Sequence, residues 1–352
     1  MSRLSICVGA LALCIAPAAG QAGAIKLPDR AGASDTGHTR PEHAPMRRVP
    51  ELRSARAQTE TEEAPRVFGG DEAALGAWPF QVALAFAEWL DDDPLSQYHA
   101  QFCGGSLIAP DWVLTAAHCV DDYGRVLDPE EITLLSGSNS LSDARRTAVA
   151  EVIAHPDYNP QTLDHDIALL RLEAPIDARP VVLAQDTPDS GHVIVTGWGL
   201  TERGDFPDWL MQAEVALQPS TACNAGIKEI YAGDLSGMLK DFAPRMGFSE
   251  RAINAAVSVV AESFTDPLTE NMLCAGMAEG MRDACYGDSG GPLFAFADGE
   301  VIQHGIVSWG EGPRDSSAAC GHANAYGVYT RVGNYGEWIA QTMLRDFVGT
   351  AQ

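Results

Sequence analysis

Beyond residue 66 the chain alternates short apolar runs with stretches in which Gly, Pro, Asn and Asp recur. The runs at residues 80–86, 105–108, 132–135, 148–154, 167–172, 192–196 and 301–309 have strand length. With turn residues between them, they predict an all-β sandwich or barrel. Two segments depart from this texture. Residues 249–262 space Ile253, Ala256, Val257 and Val260 along one helical face, with Ser249 placed to cap the first turn. Residues 335–347 predict a second helix that closes the chain, and no repeat of fixed period runs through the sequence.

The N-terminal residues follow a different pattern. Arg3 precedes an apolar run over residues 4–15 and a small-residue stretch over 16–24, which is the layout of an export signal. Cleavage after Gly20 or Ala24 would fit. A buried N-terminal helix is the alternative, but the run passes directly into polar sequence; a lipid anchor on Cys14 would have bulky Leu13 beside it. A secreted protein, extracellular or periplasmic, is therefore expected, with no membrane contact once residues 1–24 are removed, because no later apolar run reaches the roughly 18 residues of a membrane helix. Residues 25–66 are rich in Ala, Pro, Thr, Glu and Arg and carry eight basic and seven acidic side chains. They predict a solvated linker or pro-segment.

Charge and cysteine usage narrow the classes. The 352 residues carry 23 Lys+Arg against 48 Asp+Glu, a formal charge of −25. Residues 67–352 alone hold 14 basic and 41 acidic side chains, or −27. Phosphate binding needs a basic face, so nucleic acid is excluded as a main partner, while basic ligands are favoured. Cys7 and Cys14 fall in the signal, leaving Cys103, Cys119, Cys223, Cys274, Cys285 and Cys320. An even number in an oxidising compartment predicts disulfides, and the lack of close Cys-x-x-Cys pairs argues against zinc. Asp91-Asp92-Asp93 lacks the alternating ligand spacing of a calcium loop. No metal and no cofactor are expected.

Three motifs carry chemistry. Thr115-Ala116-Ala117-His118-Cys119 sets a histidine beside a half-cystine; Asp164-His165-Asp166-Ile167-Ala168-Leu169-Leu170 sets a carboxylate at the start of an apolar strand; Gly287-Asp288-Ser289-Gly290-Gly291-Pro292 surrounds a serine with glycines. A serine hydroxyl attacks only when a base takes its proton, and the base needs a third group to fix its tautomer. Glycines beside the serine let backbone N–H groups approach a reacting carbonyl.

Together these motifs, in the order His, Asp, Ser, resemble the trypsin/chymotrypsin-like serine proteases, over residues 67 to about 347. The resemblance implies two six-stranded antiparallel β-barrels with the active site between them, a C-terminal helix and three disulfides: Cys103–Cys119, Cys223–Cys274 and Cys285–Cys320. It implies His118 as general base, Asp166 as its orienting partner, Ser289 as nucleophile, and the N–H groups of Gly287 and Ser289 as oxyanion hole. Asp283 falls where the family places an acid at the floor of the specificity pocket, followed by Ala284 where many relatives have a serine that helps bind lysine. Ser308, Trp309 and Gly310 match the segment that pairs with substrate backbone, and Gly327 the opposite pocket wall. Gly197-Trp198-Gly199 is a further family motif with a structural role. Arg66-Val67-Phe68-Gly69-Gly70 resembles the family's activation site, at which cutting frees an α-amino group on Val67 to pair with Asp288. The implied protein is a monomeric endopeptidase, made as a zymogen, that cleaves protein or peptide substrates after Arg or Lys. His165 matches no family role and is expected at the surface.

The departures from the family are equally informative. Fifty residues separate Cys223 from Cys274, an insertion over about 224–270 that is expected to form an exosite for a partner or a rim on the cleft. Residues 313–319 form a second insertion beside the pocket mouth. Two rival readings remain: a non-enzymatic binding protein on the same scaffold, disfavoured by the complete triad, and an α/β-hydrolase esterase, whose chain order of Ser, Asp, His is not met.

Overall fold

The computed structural model describes residues 45–56, 69–314, 316 and 320–349. The expected signal at 1–24 and the Arg66–Val67 bond lie outside the described residues. Twelve principal strands form two barrels. The first contains β1 (Gln81–Phe86), β2 (Gln101–Ala109), β3 (Trp112–Thr115), β4 (Ile132–Ser136), β5 (Arg145–Ala154) and β6 (Ala168–Leu172). They pair antiparallel in the closed ring β1-β2-β3-β6-β5-β4. The second contains β7 (Gly191–Gly197), β8 (Met211–Gln218), β9 (Met272–Gly276), β10 (Pro292–Ala297), β11 (Glu300–Trp309) and β12 (Gly327–Arg331). Its ring runs β7-β8-β9-β12-β11-β10. Both halves thus repeat one topology although no repeat is visible in the sequence.

Side-chain periodicity explains which face each strand buries. Along β8, Met211, Ala213, Val215 and Leu217 are buried, whereas the residues between them are more exposed, as a period of two requires. They meet Val193, Val195, Leu273, Ala275, Leu293, Val307 and Tyr329 in the core of the second barrel. All six residues of β1 are buried, because both faces of that strand are covered. Rings join the halves: Phe294 of β10 lies 5.3 Å edge-on from Phe80, just before β1, and 4.6 Å from Trp78. Phe294 is fully buried, so Phe294→Ala should cost about 3–5 kcal/mol. Thermal unfolding read by circular dichroism checks this, and a fall in Tm of only a degree or two would contradict it.

The helices bring both agreement and corrections. The expected helix at 249–262 appears as Glu250–Ala261, with Ser249 Oγ accepting the Ala252 N–H at 3.2 Å, and the closing helix spans Gly336–Gly349. The insertion also contains a helix that the sequence pattern did not predict, Ser220–Met246. Gly226, Gly233 and Gly237 lie within it, each costing about 1 kcal/mol relative to Ala, and its apolar residues do not line one face. Tertiary packing holds it: Cys223, Asn224, Gly226 and Ile227 are buried at its start, and Cys223 is bonded to Cys274. The second correction concerns residues 25–66, expected to be a solvated linker or pro-segment: part of the segment is not solvated. Residues Arg48–Arg56 form a helix with Val49 and Arg53 buried against the barrels. The helices are numbered α1 (Arg48–Arg56), α2 (Leu95–Ala100), α3 (Ser220–Met246), α4 (Glu250–Ala261) and α5 (Gly336–Gly349). Among the described residues no helix is long and apolar enough to cross a membrane.

Candidate active site

A cavity of about 700 Å³ is lined by residues from both barrels, including His118, Asp283, Gly287, Ser289, Ser308 and Gly327. His118 sits in a 3₁₀ turn, Ala117–Cys119, directly after β3. The Cys103–Cys119 disulfide ties that turn back to β2. Asp166 lies just ahead of β6 and is fully buried. Its Oδ1 accepts the His118 backbone N–H at 2.8 Å, and its Oδ2 is 2.7 Å from His118 Nδ1. Burial opposes charge on both groups. The pairing outweighs it, holding Asp166 below the usual carboxylate range and raising the pKa of His118. The pair therefore fixes the Nδ1 side of the imidazole, while Nε2 lies 3.8 Å from Cys119 Sγ.

Two hydroxyls that the motifs did not mark complete the seat of Asp166. Ser308 Oγ donates to Asp166 Oδ2 at 2.5 Å, and Thr330 Oγ1 donates to the Asp166 carbonyl at 2.6 Å. The pairing of β11 with β12 shifts register between Val307 and Trp309, which re-aims Ser308 in the way a bulge does. Ser308 was expected through its backbone alone. Asp164 ties the same loop to the second barrel by accepting from Thr269 Oγ1 at 2.8 Å and Asn271 Nδ2 at 3.0 Å. His165 is not the free surface residue expected. It is half-buried, its ring stacks on His155 at 5.0 Å, and its Nδ1 lies 3.2 Å from the Tyr335 hydroxyl.

Ser289 belongs to the loop between β9 and β10. Its carbonyl accepts the Gly104 N–H at 2.7 Å, joining the loop to the first barrel. Gly287 has φ +100°, open only to glycine without strain, and its carbonyl accepts from Gln101 Nε2 at 2.9 Å. Asp288 turns away from the cavity. Its carboxylate accepts from Gly199 N at 2.7 Å and Cys285 N at 2.9 Å. A Cβ on Gly199 would lie 2.4 Å from that carboxylate, so the close approach needs glycine. Burial pushes Asp288 up to about 6, while the two N–H groups and Arg53 oppose the shift.

Asp283 is buried in the lining of the cavity, next to Gly327, where a Cβ would sit 2.6 Å from Asp283 Oδ1. Ala284 N donates to that oxygen at 2.8 Å. Burial pushes the carboxyl up to about 8, and the neighbouring charge of Asp288 adds to the shift. Ala284, Trp309 and Gly310 line the same cavity. Cys285–Cys320 and Cys223–Cys274 are bonded, so all three expected pairings are present. Cys103, His118 and Cys119 cluster closely enough to hold a metal, but the two sulfurs are bonded to each other and offer no thiolate. The insertion reaches the rim, where Tyr231 of α3 donates to Glu311 at 3.1 Å.

Paired barrels enclosing a His–Asp couple and a loop-borne serine define a serine hydrolase of the double-barrel class. The comparisons make the family specific. A family model described as trypsin matches residues 67–242 and 245–339. Clotting factor C of Tachypleus tridentatus is 32% identical over 310 residues, covering 81% of this chain and 26% of the relative. The suppressor of tumorigenicity 14 protein homolog of Bos taurus is 34% identical over 290 residues, covering 78% and 28%. The matched region thus spans about a quarter of the length of these relatives. The chain belongs to the trypsin family of serine proteases.

Proposed function

We propose that this chain is the zymogen of a secreted serine endopeptidase that cleaves after Arg, and less readily after Lys, and is switched on by a cut between Arg66 and Val67. The observation that carries the specificity is Asp283, a carboxylate buried in the cavity that Ser289 lines, with no cation among the groups that set its pKa. A lone buried carboxylate is costly, and a substrate guanidinium would supply its partner through charge-assisted hydrogen bonds. Ala284 offers no hydroxyl to bridge to the shorter ammonium of lysine, which favours Arg.

In this reading Ser289 attacks the scissile carbonyl, His118 takes its proton and later delivers it to the leaving amine, and Asp166 stabilises the imidazolium. The N–H groups of Gly287 and Ser289 receive the oxyanion, while Ser308, Trp309 and Gly310 hold the substrate backbone. The family match beginning at residue 67 supports a catalytic domain that starts at Val67, preceded by a pro-segment over 25–66 and a signal over 1–24. The freed Val67 amine would pair with Asp288. Because the site ends in Arg66, the enzyme could cut its own precursor. It acts as a monomer, and the α3–α4 pair, with Phe242, Met246 and Val259 exposed, offers a surface for an exosite partner.

The test is to cut the chain at Arg66–Val67, remove the N-terminal fragment in high salt, confirm the new N-terminus by sequencing, and follow both fluorophosphonate labelling and hydrolysis of an Arg amide. Labelling at Ser289 together with amide turnover is expected. Full activity with the Arg66–Val67 bond intact, or labelling without any amide turnover, would contradict the reading. A pH dependence follows from the same site. Arg binding needs Asp283 ionised, and its carboxyl is held up to about 8. Below that pH the free pocket is protonated, so kcat/KM for an Arg amide, relative to an ester with a neutral side chain, should climb toward about pH 8 and then level. Taking the ratio cancels the ionisation of His118, which both substrates share. A flat ratio from pH 6 to 9 would show that Asp283 does not hold the substrate.

A further inference from the structure

Helix α1 lies outside the region that the family match covers, yet its Arg53 is among the most deeply buried side chains in the molecule. Its Nη2 donates to Gln101 Oε1 and, at 2.6 Å, to the carbonyl of Trp198. The guanidinium carbon lies 4.8 Å from the Tyr98 ring centroid and 4.6 Å from that of Phe206, within the range of cation–π attraction. The Tyr98 hydroxyl donates to the Phe206 carbonyl at 3.0 Å, bracing the two walls. Asp288 and Asp208 add attraction for the charge. Burial lowers the guanidinium only to about 10, so it is charged at neutral pH. The walls of this socket, from α2, β2 and the 198–206 loop, all belong to the region that the family match covers.

Other contacts of the segment run toward the chemistry. Met46, Arg48 and Val49 line the cavity that holds His118 and Ser289, and Val49 Cγ1 lies 3.5 Å from where a Cβ on Gly287 would be. Arg47 pairs with Glu88 at 2.8 Å and lies 3.8 Å from Asp122. A cationic stretch therefore sits on a body of charge −27. Residues 25–66 contain no cysteine, so nothing covalent would hold them once the chain is cut.

We propose that the protease body carries a socket for an arginine-bearing helical peptide, formed by Tyr98, Gln101, Trp198 and Phe206, and that residues 45–56 occupy it as an inhibitor that stays bound after cleavage at Arg66–Val67. This rests on the reading of residues 25–66 as a pro-segment. Arg53 anchors the helix, and Met46 and Val49 cover the serine and its oxyanion loop. Full activity then requires release or destruction of the segment, a step separate from the cut itself.

The test uses the Ser289→Ala chain, cut by added trypsin and freed of its N-terminal fragment in high salt. Fluorescein-labelled peptide 41–66 is titrated against it by anisotropy. The parent peptide should bind at micromolar concentration or below. Arg53→Ala and Arg53→Lys peptides should bind at least tenfold more weakly, and Ala55→Ser, on the exposed side of α1, should bind unchanged. Substitution in the peptide leaves the fold of the protease untouched. In parallel, the parent peptide should raise KM for an Arg amide with the active enzyme and leave kcat unchanged. Absence of binding, or equal binding by the Arg53→Ala peptide, would overturn the socket. Arg53-dependent binding without an effect on KM would overturn the inhibitory role. Arg53-dependent binding to a chain whose Ser289 form hydrolyses no amide would support the socket and count only against the proposed activity.

Discussion

Asp166→Asn should lower kcat for an Arg amide about 10⁴-fold, the scale of effect known when a triad aspartate loses its charge, while KM changes only a few-fold. Asp166 receives His118 Nδ1, the His118 backbone N–H and the Ser308 hydroxyl on one carboxylate. An amide oxygen could keep one of these bonds, but the NH₂ group would face the imidazole as a donor and favour the tautomer with its proton on Nε2. That nitrogen then cannot take the proton of Ser289. The raised pKa of His118 also depends on this carboxylate, so the acid limb of the pH–rate profile should move to lower pH in the variant. Steady-state kinetics from pH 5 to 9 check both effects. A loss below tenfold, or an acid limb that stays in place, would mean that Asp166 does not set the state of His118.

The second large effect is expected at Asp283, in the lining of the cavity. Asp283→Ser should lower kcat/KM for Arg substrates about thirtyfold or more, because removing one member of a buried charged pair costs about 2–5 kcal/mol, and a guanidinium would then enter the cavity unpaired. Substrates with neutral side chains should change only a few-fold. Burial already makes the Asp283 carboxylate unfavourable, so the substitution should leave the fold intact or stabilise it slightly. Comparing Arg and Leu amides with Tm on the same preparation separates these outcomes. Equal losses on both substrates would point to a collapsed pocket rather than to lost charge recognition.

Much of the molecule is legible in the sequence because its determinants are local. Strand length and turn residues point to a sandwich or barrel, and the short motifs around His118, Asp166 and Ser289, through their resemblance to the serine proteases, imply two barrels and the cavity between them. What was hidden depends on partners distant in sequence. The α3 helix carries three glycines and no clear apolar face, and its order comes from the Cys223–Cys274 bond and the packing of Ile227. Arg53 sits in a polar stretch that looks like solvated chain. Its burial follows only once Gln101 and the Trp198 carbonyl, 48 and 145 residues away, are brought to one place. His165 likewise looked like a surface residue until folding set the rings of His155 and Tyr335 against it. The hydroxyl of Ser308 was missed for a related reason: a bulge turns it toward Asp166, and bulges leave little trace in an apolar strand.

The central claim is a serine endopeptidase directed by Asp283 to basic residues. It is tested most directly by profiling the chain, cut at Arg66–Val67 and freed of residues 25–66, against a positional peptide library. The predicted result is cleavage after Arg, with Lys second by roughly tenfold, a difference that needs only about 1.4 kcal/mol. Cleavage after Phe or Leu, or no preference for a basic residue, would contradict it.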